Sequence, residues 1–150
     1  MLASVVAGAP GPAWSGAAAA AAEPAPGVPA SPATAEELRR ALTAATERFQ
    51  AMDAAGVLAQ VPERYRNGPL TKAALRENLV ALFALYDVVR ANVRIDQVRM
   101  VDGAAWIYST GEVTGRICGL GVWTTALAWE REPEVARREG SVWRLTGPGP

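Results

Sequence analysis

At 150 residues the chain has room for one domain with a buried core and not comfortably for two. Fifteen basic residues balance fifteen acidic ones, and a net charge of zero supplies no basic excess to displace counterions from a nucleic acid. Histidine is absent and Cys118 is the single cysteine, which excludes His-based acid–base catalysis, Ser-His and Cys-His pairs, most transition-metal sites and an internal disulfide.

The first 34 residues differ in kind from the rest. They hold thirteen alanines, six of the eleven prolines and a single charge, Glu23. So few large apolar groups cannot offset the ordering entropy of a chain, and residues 1–34 are expected to be a disordered linker or a leader that is removed. Leu2 to Ala9 is a short apolar stretch, and Ala17 to Ala22 ends in small residues before Glu23-Pro24, the layout of a secretory signal and its cleavage site. The charged start of such a signal is missing, since the first basic residue is Arg39, and Pro10, Gly11 and Pro12 interrupt the apolar run. Export to the periplasm or medium is the favoured expectation, with a cytoplasmic chain and an Ala/Pro-rich linker as the alternative. The same prolines break the run of about 20 apolar residues that a membrane-crossing helix needs.

The folded domain is expected over residues 35–150. Thr34-Ala35-Glu36-Glu37 reads as a capping box, with Thr34 as cap and Glu37 reaching back to it. Leu38, Ala41, Leu42, Ala45, Phe49 and Met52 then fall on one helical face. Gly56 weakens the helix, and Val57, Leu58 and Val61 continue it as a short second piece. Pro62 and Asn67-Gly68-Pro69 mark a loop. Thr71 caps a further helix in which Leu75, Leu79, Leu82 and Phe83 share a face, ending at Tyr86-Asp87.

Beyond residue 87 the period becomes that of a strand. Val89, Ala91, Val93 and Ile95 alternate with Arg90, Asn92, Arg94 and Asp96, and Gln97 breaks the register at an expected bulge before Val98 and Met100. Asp102-Gly103 signals a hairpin turn. A second strand is expected from Ala105 to about Thr114 and a third from about Val122 to Glu130, with Gly115, Gly119 and Gly121 in the connection. Residues 131–139 read as a charged loop holding Pro133, and Val142 to Leu145 as a last strand. Helices followed by an antiparallel meander make an α+β domain.

This element order, with the Asp-Gly hairpin, Ala105 and Ile107 in a strand core, and the closing Gly140, Trp143 and Leu145, resembles the nuclear transport factor 2-like superfamily and its SnoaL-like bacterial branch. The resemblance spans residues 35–150. It implies a strongly curved antiparallel sheet wrapped around N-terminal helices as a cone with a pocket inside. Its members include isomerases, cyclases, dehydratases and many non-catalytic proteins, so the fold alone does not assign the function.

As pocket lining the pattern points to Phe49, Met52, Tyr65, Phe83, Tyr86, Trp123 and Trp129, each of which also suits plain core packing. Two carboxylates are candidates for proton transfer. Asp96 lies on a polar strand face among arginines, where a solvated surface role is the plainer reading, and Glu112 shares a face with Trp106, Tyr108, Thr110 and Thr114, where Arg116 or an edge position would equally satisfy it. Both faces of the second and third strands read as apolar, so the face with Trp106 and Tyr108 is expected to pair with a second copy. Cys118 between glycines reads as a passive small residue. No metal or cofactor is expected: Gly119-Leu120-Gly121 lacks a third glycine and a following helix, and no acidic cluster has calcium-loop spacing. The favoured function is the binding of a small apolar or amphipathic molecule by a homodimer. An isomerase or cyclase using a pocket carboxylate and a non-catalytic dimerising module are the alternatives.

Overall fold

The computed structural model describes residues 25–147. The Leu2–Ala9 stretch and the Ala17–Ala22 run of the expected leader lie outside them. Its last residues are folded: β1 (Val28–Pro29) pairs with Met100 and Arg99, and the Arg99 guanidinium donates to the carbonyls of Pro26 and Gly27. The first helix, α1 (Pro32–Gln50), starts before the expected cap. Ser31 is the cap, its hydroxyl accepting from the Thr34 amide at 3.2 Å, and Pro32 occupies the first helical position. The fixed φ of proline favours that start, which moves Thr34 into the first turn. Glu37 consequently turns away from the helix end, towards the sheet.

Asp53 caps the short α2 (Ala54–Ala59), accepting from the Gly56 amide at 2.9 Å, and this helix buries Val57 and Leu58. The Asn67-Gly68-Pro69 loop is the tip of a small hairpin of β2 (Arg66–Asn67) and β3 (Leu70–Thr71), with Gly68 at φ 58°. Helix α3 (Lys72–Leu85) begins at Thr71, as expected, and buries Leu75 and Leu79.

Four longer strands follow: β4 (Tyr86–Val101), β5 (Ala104–Ile117), β6 (Trp123–Glu139) and β7 (Val142–Leu145). With β1 they form an antiparallel sheet in the order β1-β4-β5-β6-β7. Asp102 and Gly103 both take positive φ at the β4–β5 turn, the conformation that an Asp-Gly hairpin requires.

Two expectations are corrected in this sheet. Strand β5 runs past Thr114 to Ile117, so Gly115 sits inside the strand rather than in a connection. An added Cβ there would strike the Tyr86 ring, just as one at Gly111 would strike the Trp129 ring. The stretch 131–139 is strand and not loop, because β6 continues through Glu139 and pairs with both β5 and β7. Arg131 takes φ 47° and donates its amide to the Thr110 hydroxyl at 3.1 Å, a local kink that sequence alone reads as a chain reversal. Pro133 is tolerated because β7 joins only from Ala136 onward, leaving an open strand edge beside it.

The curvature has a local cause. Asp87 and Asp96 are each an extra residue in β4, the latter one position before the bulge expected at Gln97, and the β5–β6 register shifts twice more. Such interruptions increase twist and bend the bulged strand, closing the sheet over the helices as the expected cone. The larger core packs Phe49, Val57, Leu75, Leu79, Tyr86, Val113 and Trp129 together, and a smaller one joins Leu38 to Val98, Ala105, Ile107 and Ala136.

Candidate functional site

Alternation along β5 puts Ala105, Ile107 and Ser109 on the inner face of the sheet and Trp106, Tyr108 and Thr110 on the outer. Ile107 pairs with Glu134 and Ala105 with Ala136, so β6 brings Glu134 and Ala136 to the same inner face. Trp143 and Leu145 extend it from β7. Opposite stand Leu38, Ala41, Leu42 and Ala45 of α1, with Val57 and Gln60. The two alanines are too short to reach the sheet, and a cavity of about 60 Å3 remains between the layers. That is room for a few waters or a short hydrocarbon group. Ala41 both lines the cavity and is exposed, so the cavity reaches solvent beside it.

The walls are apolar except at Gln60, Ser109 and Glu134. Glu134 is the one charged residue of the lining, and only 9% of it is exposed. It also borders a smaller void with Tyr65, Asn67, Val135, Leu145 and Gly147. Burial pushes the Tyr65 phenol up to about 12, and the negative charge of Glu134 pushes in the same direction. Tyr65 therefore keeps its proton at neutral pH. Ser109, also buried, accepts a hydrogen bond from Trp129 Nε1 at 3.1 Å, tying the cavity floor to the main core.

One end of α1 is fastened over the cavity by Glu37. Its carboxylate accepts from Trp143 Nε1 at 2.9 Å and from Arg138 at 2.6 Å, and the Arg138 guanidinium lies 4.8 Å from the centre of the Trp143 ring. The Trp143 bond, then the Arg138 bond, hold the Glu37 carboxyl below the usual carboxylate value. A folded value below the unfolded one adds stability above the unfolded value, and the gain is lost as pH falls through the folded one. Melting curves should separate the native chain from Glu37→Gln near neutrality and converge in acid. A gap that persists unchanged in acid would mean that the Glu37 charge does not fasten the helix.

The residues expected to line the pocket are placed differently. Phe49, Tyr65, Tyr86 and Trp129 belong to the main core, and Met52 and Phe83 pack against it. Phe49 and Phe83 meet edge to face at 5.4 Å, filling the helical end of the cone with the protein's own rings. None of them lines the cavity: Tyr65 comes near it through the void beside Glu134, and Trp129 through its bond to Ser109. Trp123 is 41% exposed, with the Arg90 guanidinium 4.5 Å from its ring centre. It pairs with Arg116 on the last rung before the β5–β6 turn, away from the cavity.

Neither candidate acid lines the cavity. Asp96 is the outward bulge residue of β4, accepting from the Thr110 hydroxyl at 2.5 Å and from Arg94 at 2.8 Å, and these bonds lower its pKa. Glu112 is exposed on the outer face and accepts from Thr125 at 2.8 Å. Trp106 and Tyr108 are half-buried on that face, which also carries Arg94, Asp96 and Glu112, so it is less apolar than its aromatics suggest. Glu134, Ser109, Gln60 and Trp143 carry the site instead. The alternation Glu134, Ala136 opposite Ile107, Ala105 is the signal for Glu134, and it is visible only once β6 is continued past residue 131. Among the described residues no group of acids and cysteine is placed to hold a metal ion, and no helix is long and apolar enough to cross a membrane.

No protein-family model matches the sequence, and no curated protein does. Solved structures do match. Aln2 from a Streptomyces species aligns with a TM-score of 0.61 at 16% identity over 79% of this chain and 89% of its own. A putative dehydratase from the nuclear transport factor 2-like family of Streptomyces avermitilis aligns with 0.62 at 15% identity, covering 77% and 94%. A ketosteroid isomerase-like protein from Erwinia carotovora aligns with 0.58 at 21% identity, covering 75% and 90%. At these identities the likeness concerns the backbone, and the chain has the nuclear transport factor 2-like fold.

Proposed function

We propose that this chain binds a small, largely apolar molecule in the cavity between α1 and the sheet, with Glu134, Ser109 and Gln60 as its polar anchors. One observation carries the reading: an apolar cavity open at Ala41 has a single buried acid in its wall. Small-molecule sites combine apolar walls with a few placed polar groups in this way. The volume limits the occupant to a compact molecule or to one end of a longer one.

Native mass spectrometry of the full chain, compared with its denatured mass, tests this. The expected result is a discrete added mass that disappears on denaturation and is absent from Ala41→Trp, whose indole would close the mouth. Clean spectra from both proteins, in hosts of differing metabolism, would refute the reading.

A second reading uses the same carboxylate for proton transfer, with Tyr65 as a protonated phenol beside it. The two readings part on whether the captured molecule is released unchanged. Self-association through Trp106 and Tyr108 is a separate proposal, resting on two large half-buried rings on an outer strand face. Sedimentation should then give a dimer that Trp106→Glu converts to a monomer; a monomeric native chain would dismiss it.

A further inference from the structure

The exposed apolar groups of the chain are not spread evenly. Of the seven large hydrophobic residues exposed among the described residues, five gather at one end of the molecule: Val80 and Leu85 on α3, and Leu120, Val122 and Trp123 at the β5–β6 turn. Two backbone bonds hold these segments together, from the Cys118 amide to the Leu85 carbonyl at 3.0 Å and from the Ile117 amide to the Val122 carbonyl at 2.8 Å. Ala81 and Ala84 are also exposed, so the last two turns of α3 show solvent no charge after Glu77. Leu120 is 71% exposed between Gly119 and Gly121. A Cβ on either glycine would meet nothing within 4 Å, so the turn stands clear of the body.

We propose that this end docks on an anionic lipid bilayer, with the Leu120 turn entering the acyl region. Charge and shape both favour that occupant. Behind the apolar tip stand two arginines and one acid. Arg116, paired across the strands with Trp123, is neutralised by Asp87 through bonds of 2.8 and 3.2 Å. Arg90 makes no ion pair among the described residues, and its guanidinium lies 4.5 Å from the centre of the Trp123 ring. One positive charge is therefore left over behind the tip, complementary to phosphate head groups. An exposed indole suits the boundary between head groups and chains, and an arginine stacked on it keeps its charge in the wet layer. The turn is also convex. A stable contact with a second copy needs a broad matching area that one projecting turn does not supply, whereas fluid lipid closes around it.

Vesicles of phosphatidylcholine alone, and of phosphatidylcholine mixed equally with phosphatidylglycerol, test this on the full chain by co-sedimentation and tryptophan emission. The mixed vesicles should bind the chain with a blue shift as Trp123 leaves water. Their binding should be about fivefold tighter than that of phosphatidylcholine alone, the effect of one arginine near an anionic surface. Arg90→Gln should nearly equalise the two. Leu120→Glu should weaken binding to both by about tenfold, and a melting curve matching the native one would show that the open turn accepts the change. Binding that Leu120→Glu leaves intact would overturn the proposal by placing the contact elsewhere in the chain, residues 1–24 included. So would a native chain that binds neither vesicle. A dimer that Leu120→Glu dissociates and lipid does not displace would assign the face to a second copy instead.

Discussion

Phe49→Ala is expected to remove about 3–5 kcal/mol of folding stability, the range for deleting a buried aromatic ring. Against a typical total of about 5–15 kcal/mol this is a large fraction. The ring has no exposed surface, sits one residue before the end of α1, and meets Phe83 edge to face with an interplanar angle of 61°. That geometry adds about 0.5–1.5 kcal/mol beyond area burial. The substitution empties a space in the main core and not in the cavity beside Glu134, so ligand capture by the folded fraction should persist. Urea unfolding followed by far-ultraviolet circular dichroism measures the loss. A cost under about 1 kcal/mol would return Phe49 to the role the sequence suggested, a wall of an open pocket.

Gly111→Val should cost about 1–3 kcal/mol through overpacking, although valine ordinarily favours a strand. A Cβ at residue 111 runs into the Trp129 ring and stands 2.8 Å from the Asn92 carbonyl oxygen, so neither side of the position yields cheaply. Displacing Trp129 also breaks its bond to Ser109, worth about a further 0.5–1.5 kcal/mol, and loosens the cavity floor. A red shift of tryptophan emission and loss of near-ultraviolet dichroism should accompany the fall in the urea midpoint. Ala128→Val, at an exposed position on β6, is the control, expected to stay within about 0.5 kcal/mol. Equal behaviour of the two variants would show that the ring does not lie over Gly111.

Much of the fold is legible because its signals are local. Thr71 caps α3 from its own side-chain chemistry, and Leu75 and Leu79 mark the buried face by spacing alone. Asp102-Gly103 forces the turn by its backbone preference, and the alternation from Val89 to Ile95 announces β4. The misreadings are local too. Thr34-Ala35-Glu36-Glu37 satisfies the capping-box pattern, but Ser31-Pro32 starts the helix three residues earlier. Residues 131–139 carry the composition of a loop, yet ladder bonds to β5 and β7 hold them extended. Tertiary pairing outweighs composition there.

The site was far less legible. Phe49, Tyr86 and Trp129 are the right kind of residue for a pocket and became core, Phe49 against Phe83 and the other two rings over Gly115 and Gly111. Glu134 was hidden inside the supposed loop, and its face depends on the bulge at Arg131. A one-residue change of register sends every later side chain of a strand to the opposite face.

By itself the sequence determined the three helices, the Asp102-Gly103 turn and the strand character of much of β4 to β7, since helical and strand periods, caps and turns depend on neighbours a few residues apart. It also settled which chemistries are unavailable, because a chain without histidine or a second cysteine cannot supply them. Only the tertiary structure decided which acid faces the cavity and which aromatics fill the cone. Those outcomes follow from how the bulges in β4 and β6 set the register between strands far apart in the chain, and burial is a property of that register rather than of any one residue.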